Sequence, residues 1–404
     1  MILLRNNIGY IYIGLWMLYY LQEMLMIVGI IAQSILVVLM IMSFFAFFQV
    51  NIHYRTGPYL KWLNIMLLVI TIYGLALFLS GFALYPGEIN LQTSLEYGYI
   101  QKYYISIFPI YFFYWLSLKG ILSEENVKPV FFVFLFFSIL AYYQNYYLMS
   151  NELDTEEITN NMGYIFVPLI PMLALIKMND IWKYILLIFV FAIIMMSMKR
   201  GAILVATIAL LLYLKHHLNT KSTKQYIYII ILSVVAVCAI YVFVMNLYET
   251  SDYFKARFIN TTEGDTSNRT FIYTHFYDFY IYQTSSLEFL WGCGANTTYL
   301  KLGEYAHNDW LEFAINQGLI SGVIPYLVYW IFFIWEWKHF EQGLITYKQV
   351  LGDLIIFLFV RSLFSMSIDG MPTIATLCIG YCLAQNEKAK RTQLINELRN
   401  RVFI

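Results

Sequence analysis

The chain has 404 residues, of which 60% are hydrophobic and 12% are charged. Soluble domains are about 45–50% apolar and about 25% charged, so this composition excludes an ordinary water-soluble fold. The 25 basic and 25 acidic residues cancel to a formal net charge of zero. A nucleic-acid partner attracted by overall charge is therefore not expected.

Long apolar runs follow one another along the chain. A membrane-spanning helix needs about 20 apolar residues, because every backbone amide must find its partner inside the helix. The sequence thus predicts an all-α, polytopic membrane protein with a single integral membrane domain over residues 1–404, whose first run is a span and not a cleaved signal peptide. About twelve spans are predicted, near residues 8–21, 24–49, 60–84, 100–118, 129–149, 163–177, 181–198, 201–214, 225–248, 319–336, 347–368 and 371–385.

Basic residues are distributed unevenly between the predicted spans. The loops on one side hold 17 of the 25 Lys and Arg residues, and the loops on the other side hold seven. Cytoplasmic loops retain Lys and Arg, so both termini are predicted to be cytoplasmic. The seven outward cations are exceptions that insertion does not explain: Lys102, Lys199, Arg200, Lys255, Arg257, Arg269 and Lys301.

One outward loop is long and covers residues 249–318, between the ninth and tenth predicted spans. Loops longer than about 12–15 residues are usually functional or disordered, and the many aromatic residues here argue against disorder. The stretch 269–283 contains no Gly or Pro, which predicts an interfacial helix. Its rings fit either a belt at the membrane surface or a platform for sugars, and the sequence leaves both readings open.

Three arginines stand out by position. Arg200 follows Lys199 in a short outward turn directly before an apolar helix, where cations are costly unless an anion meets them. Arg269 is predicted to lie in the first turn of a helix. For either arginine, contact with lipid phosphate is the alternative. Arg361 lies within the eleventh predicted span, where a structural ion pair with an acid such as Asp369 is expected.

His307 precedes Asn308 and Asp309 at the point where the helix leading into the tenth span is predicted to begin. Histidine titrates near neutral pH and suits proton transfer. Because Asn and Asp are favoured helix N-caps, the alternative is that this segment only starts a helix.

The stretch 307–322 resembles the signature of the O-antigen ligase and Wzy-type O-antigen polymerase superfamily, which reads His-Asn, nine residues, Gly, two residues, Gly. His307, Asn308 and Gly318 fit this pattern. Ser321 occupies the place of the second glycine, with Gly322 one residue later. Asn316 stands where members of the superfamily often have an acidic residue.

Two further segments resemble the same superfamily in order and spacing. Residues 199–202 are similar to its Ser-Arg-Gly-Ala turn, with Lys199 in place of the serine. Arg269, followed by the Gly-Cys-Gly turn at residues 292–294, is similar to its loop arginine and Gly-x-Gly turn.

The resemblance implies a GT-C-like glycosyltransferase with one large periplasmic loop, in the bacterial inner membrane. It would act without metal or other cofactor and join oligosaccharide repeat units carried on a polyprenyl diphosphate, in O-antigen, capsule or exopolysaccharide synthesis. One alternative is a ligase that transfers glycan to lipid A core or to a protein, and another is a polysaccharide transporter or flippase. The loop has no Asp-x-Asp pair and no His/Cys cluster to hold a cation.

The resemblance also implies roles for individual residues. His307 would be the catalytic base, supported by Asn308 or Asp309. The residues expected to bind the diphosphate are cationic: Arg200, Arg269, Lys199 and Arg257. The expected partners are an undecaprenyl-diphosphate-linked donor and acceptor, membrane lipids, a chain-length regulator and a flippase, with no nucleic acid.

Overall fold

A computed structural model describes residues 2–24, 29–54, 57–80, 89–152, 161–218, 269–368 and 373–402, and isolated positions between 238 and 259. In these ranges every regular element is helical, as predicted. In chain order the helices are α1 (Ile2–Met24), α2 (Ile30–His53), α3 (Pro58–Ser80), α4 (Ile89–Leu118), α5 (Glu124–Glu152), α6 (Gly163–Phe166), α7 (Leu169–Met172), α8 (Asp180–Met196), α9 (Arg200–Leu218), α10 (Arg269–Asp278), α11 (Ser286–Trp291), α12 (Thr297–Leu302), α13 (Asp309–Gly318), α14 (Ile324–Lys338), α15 (Ile345–Ser362) and α16 (Thr373–Val402).

Within the described ranges, four helices are long and apolar enough to cross a membrane: Ile30–His53, Pro58–Ala76, Glu124–Leu148 and Asp309–Lys338. The last of these contains α13, a π-helical turn at Leu319–Val323 and α14. The chain is therefore a helical membrane protein. A total of about twelve spans stays a prediction, and the ninth, at residues 225–248, falls almost wholly outside the described residues.

The apolar run at 163–177 forms short helices and not one continuous span-length helix. Helix α6 ends at Phe166, α7 begins at Leu169, and a 3₁₀ turn follows at Leu173–Leu175. Pro168 lies between α6 and α7. Proline has no backbone N–H to donate and its ring clashes with the preceding turn, which explains the interruption.

The described helices form two compact units. The first unit comprises residues 1–39 and 120–266. There α1 packs against α5, and α6 to α9 pack against one another. The start of α8 meets the end of α9, where His217 lies 3.3 Å from Asp180.

The second unit comprises residues 40–119 and 267–404. Its main contact joins α4 to α16, which continues well beyond the predicted end of the last span at residue 385. A side chain at Gly380 would come within 2.6 Å of the Ile110 carbonyl oxygen, so the absence of a side chain allows these backbones to approach closely. Helix α14 packs against α3, with the rings of Tyr59 and Phe333 stacked.

Helices α10 to α13 share a small core of their own. Arg269–Gln283 is helical as predicted, since α10 continues into a π-helical turn at Phe279–Gln283. Some of its rings are buried in this core, among them Phe276 and Tyr280, against Ala306 and Ile315. Others face outward, and Phe271 and Tyr282 are 72% and 76% exposed. This core packs α10, α11 and α12 against α13.

Candidate functional site

The segment around His307 is held by the cap of α13. Asn308 is the N-cap residue, and its side-chain oxygen accepts hydrogen bonds from the backbone amides of Trp310 at 2.9 Å and Leu311 at 3.2 Å. The exposed His307 directly before it has a φ of 49°. That left-handed conformation is uncommon for a side-chain-bearing residue and persists only where the surroundings enforce it.

The structure brings Arg269 and His307 together through Tyr273. Arg269 and Tyr273 lie one turn apart on α10, so they share a face of the helix. The Tyr273 hydroxyl donates to the carbonyl oxygen of Leu363 at 3.1 Å and lies 3.5 Å from that of His307. The side-chain amide nitrogen of Asn308 donates to the same Leu363 oxygen at 2.9 Å. Arg269, Tyr273, His307 and Asn308 therefore form one polar cluster.

Burial raises the pKa of the Tyr273 hydroxyl above its ordinary value of 10, although the neighbouring Arg269 charge opposes the shift. The hydroxyl therefore stays protonated and able to donate throughout the physiological pH range. The Arg269 guanidinium also lies over the Phe364 ring, 5.7 Å from its centroid. A cation on an aromatic face is held in place without losing its charge.

Two motifs that contain glycine lie against each other: the Gly-Cys-Gly turn at residues 292–294 and the end of α13 at Gly318. The backbone amides of Cys293 and Gly294 donate to the carbonyl oxygens of Ile315 and Asn316, at 2.8 and 3.0 Å. These carbonyls lie in the last turn of α13, whose helical ladder stops at Gly318 with a φ of 75°. The turn at residues 292–294 therefore supplies hydrogen-bond donors to backbone carbonyl oxygens that have no partner within the helix.

Asp309 anchors the start of α13 to a different segment. Its carboxylate is buried and accepts hydrogen bonds from the Tyr326 hydroxyl at 2.9 Å and from the backbone amides of Ser367 and Ile368, at 3.0 and 3.3 Å. The charge of Arg361 also acts on Asp309. The acid predicted to pair with Arg361, Asp369, lies outside the described residues.

Lys199 and Arg200 belong to the other unit, in the turn between α8 and α9. Met198 in this turn has a φ of 54°, and the Lys199 amide donates to the Ser197 hydroxyl at 3.3 Å. Arg200 is half-buried and is the first residue of α9, one position earlier than the predicted span begins. Arg257 lies outside the described residues.

Two residues of the site were missed by sequence reasoning, Tyr273 and Glu312. The spacing of Tyr273 from Arg269 was a usable signal, because residues four apart share a helix face. Glu312 gave no such signal, and its burial becomes visible only in the structure. Among the described residues, no three His, Cys, Asp or Glu side chains come together as a metal site would require.

A family model described as O-antigen ligase matches residues 185–326, a region that contains Arg200, Arg269, Tyr273, His307 and Gly318. No curated protein matches the chain.

Proposed function

Because residues 185–326 match a family model described as O-antigen ligase, we propose that the protein is a glycosyltransferase that joins oligosaccharide repeat units carried on a polyprenyl diphosphate. The observation that carries this proposal is the cluster of Arg269, Tyr273 and His307, in which the Tyr273 hydroxyl lies beside the Arg269 charge and 3.5 Å from the backbone carbonyl oxygen of His307.

The reaction needs a base for the acceptor sugar. The acceptor hydroxyl oxygen attacks the anomeric carbon of the donor glycan, the bond from that carbon to the phosphate oxygen breaks, and the polyprenyl diphosphate departs with the bonding electrons. The hydroxyl proton goes to the imidazole of His307, a transfer for which a group titrating near neutral pH is suited. Asn308 supports the position of His307 as the cap of α13.

Negative charge grows on the departing diphosphate, and arginine stabilises it through two parallel hydrogen bonds from a planar group. Arg269 supplies a positive charge next to Tyr273, whose hydroxyl contacts the backbone of His307. Arg200, Lys199 and Arg257 are proposed to bind the same anion, because all of them depart from the basic-residue rule for outward loops. No metal or other cofactor enters this scheme.

The proposed setting is the bacterial inner membrane, with the loop at residues 249–318 on the periplasmic side and both termini in the cytoplasm. The bias in basic residues between the loops supports it. The proposed substrates are undecaprenyl-diphosphate-linked glycans, and a flippase and a chain-length regulator are proposed as partners in the membrane. We favour polymerisation over transfer to lipid A core because Lys199 and Ser321 depart from the superfamily pattern.

The test uses purified protein in EDTA with the lipid-linked oligosaccharide extracted from a strain lacking this gene. The wild type is expected to build long products, and His307→Ala to lose about 10²–10⁴-fold in rate. The control is His275→Ala, which removes an exposed histidine of α10. Near wild-type polymerisation by His307→Ala would place the base elsewhere. Single transfers to an added lipid A core acceptor, without polymer, would identify a ligase.

A further inference from the structure

We infer that Glu312 is a positioning residue that fixes the backbone before His307, an inference that rests on the proposed role of His307 as the base. Glu312 lies in the first turn of α13 and is 5% exposed. Its carboxylate accepts hydrogen bonds from three different segments of the chain, and one of these donors is the residue directly before the histidine.

The contacts are short and well defined. One carboxylate oxygen of Glu312 accepts from the Ala306 backbone amide at 2.6 Å. The other accepts from the Thr298 hydroxyl at 2.8 Å and from the Asn316 side-chain amide at 2.9 Å. Thr298 is fully buried in α12, and Ala306 is fully buried in the loop core. A single side chain therefore connects α12, α13 and the segment between these two helices.

The position calls for a carboxylate and not for an amide. The Asn316 side chain donates to Glu312 through its nitrogen, while its oxygen faces the Thr298 backbone amide at 3.5 Å. A glutamine at 312 would keep one acceptor for Ala306 but would turn an NH₂ group towards the NH₂ of Asn316. Two donors would then face each other in a buried site, which leaves hydrogen bonds unmade.

His307 is held between two anchors. On one side Glu312 fixes the amide of Ala306, and on the other Asn308 caps α13. Between them His307 keeps its φ of 49°, a conformation that relaxes when its surroundings loosen. Loss of the Glu312 anchor should therefore move the imidazole without altering the cations that bind the diphosphate.

The experiment measures kcat and KM of purified full-length protein with the extracted lipid-linked oligosaccharide. Because a misplacement of about 1 Å can cost about 10²-fold, Glu312→Gln is expected to lower kcat by about 10²-fold, with KM changed by less than about twofold. Glu304→Gln is the matched control, since it removes an exposed acid three residues before His307 and should keep the wild-type kcat.

The decisive variant is the exchange Glu312→Gln with Asn316→Asp, which keeps every side chain the same size and moves the carboxylate one turn along α13. The 312 amide can then donate to the 316 carboxylate, so most of the kcat should return. A purely structural role would lower the yield or melting temperature of Glu312→Gln, yet leave kcat per folded molecule unchanged.

Two results would overturn the inference: wild-type kcat in Glu312→Gln while His307→Ala is inactive, or an exchange variant as slow as Glu312→Gln at equal melting temperature. The first of these would leave the proposed function standing.

If Glu312→Gln does not fold, the kcat of Glu312→Asp tests the inference instead, because the carboxylate of the shorter side chain withdraws from Ala306. A lowered kcat at constant KM would support the inference, and an unchanged kcat would contradict it. A wild type that gives only single transfers would refute polymerisation, and the rate ratio to Glu312→Gln would still be measured on that product.

Discussion

The hydroxyl oxygen of Tyr273 lies 3.5 Å from the backbone carbonyl oxygen of His307 and 3.1 Å from that of Leu363. The contact with His307 joins α10 to the residue before the N-cap of α13, across 34 positions of sequence. Tyr273 is thus the residue through which the predicted diphosphate-binding arginine and the predicted base become neighbours.

The first prediction concerns this hydroxyl. Tyr273→Phe removes the donor and keeps the ring, so the loss should be about the value of one hydrogen bond, roughly 3- to 10-fold in kcat/KM. Tyr277→Phe is the control, because Tyr277 lies one turn further along α10 and is 53% exposed. Equal rates for Tyr273→Phe and the wild type would mean that this contact does not matter for the reaction.

The second prediction concerns the two glycines that meet in the loop motifs. A side chain at Gly318 would collide with the backbone of Leu290 at 2.6 Å, and one at Gly292 would lie 2.5 Å from the Asn316 carbonyl oxygen. Both residues also have positive φ, which costs about 1–3 kcal/mol for other residues. Gly318→Ala should therefore lower the melting temperature of the detergent-purified protein strongly.

Gly303→Ala is the matched control for this prediction. Gly303 also has a positive φ, of 78°, but a side chain there would meet nothing within 4 Å. Gly303→Ala reports the cost of a positive φ without a collision, while Gly318, with a ψ of −175° against −6° at Gly303, carries a further conformational cost of its own. Melting temperatures that fall equally in Gly303→Ala and Gly318→Ala would contradict the close approach of the two loop motifs.

The third prediction concerns the cations. Lysine keeps the charge of arginine but loses the planar pair of donors, so Arg269→Lys and Arg200→Lys should each lower activity by about tenfold or more. Lys301→Arg is the control, because Lys301 pairs with Glu288 at 3.7 Å and either cation can serve there. Glycan chains of normal length in the Lys and Ala variants of both arginines, at equal membrane abundance, would refute diphosphate binding.

The fourth prediction concerns topology, on which every site assignment depends. An alkaline phosphatase fusion after Thr261 should be active, because that residue is predicted to lie outside the cytoplasm, and one after Thr220 should be inactive. Enzyme activity of the fusions in intact cells provides the measurement. The opposite pattern would put the cluster around His307 on the cytoplasmic side.

Several features follow from local sequence alone. Apolar runs predict membrane helices, since a backbone in lipid must satisfy its own hydrogen bonds, and four of the described helices are long and apolar enough to cross a membrane. The Asn-Asp pair marked the start of α13, and the structure confirms Asn308 as the cap. The absence of Gly and Pro after Arg269 predicted the helix that it begins. These features depend on neighbours within one or two helical turns, which a sequence displays directly.

Other features were decided by the tertiary structure. The sequence predicts Asp309 as a support for His307, and only the structure shows that its carboxylate accepts from Tyr326 and from backbone amides about 58 positions away. Glu312 looks in sequence like any acid on a helix, yet burial turns it into the common acceptor for Ala306, Thr298 and Asn316. Such contacts depend on which donors packing places around a side chain, and no local periodicity encodes the partners that meet when distant segments close over a buried charge.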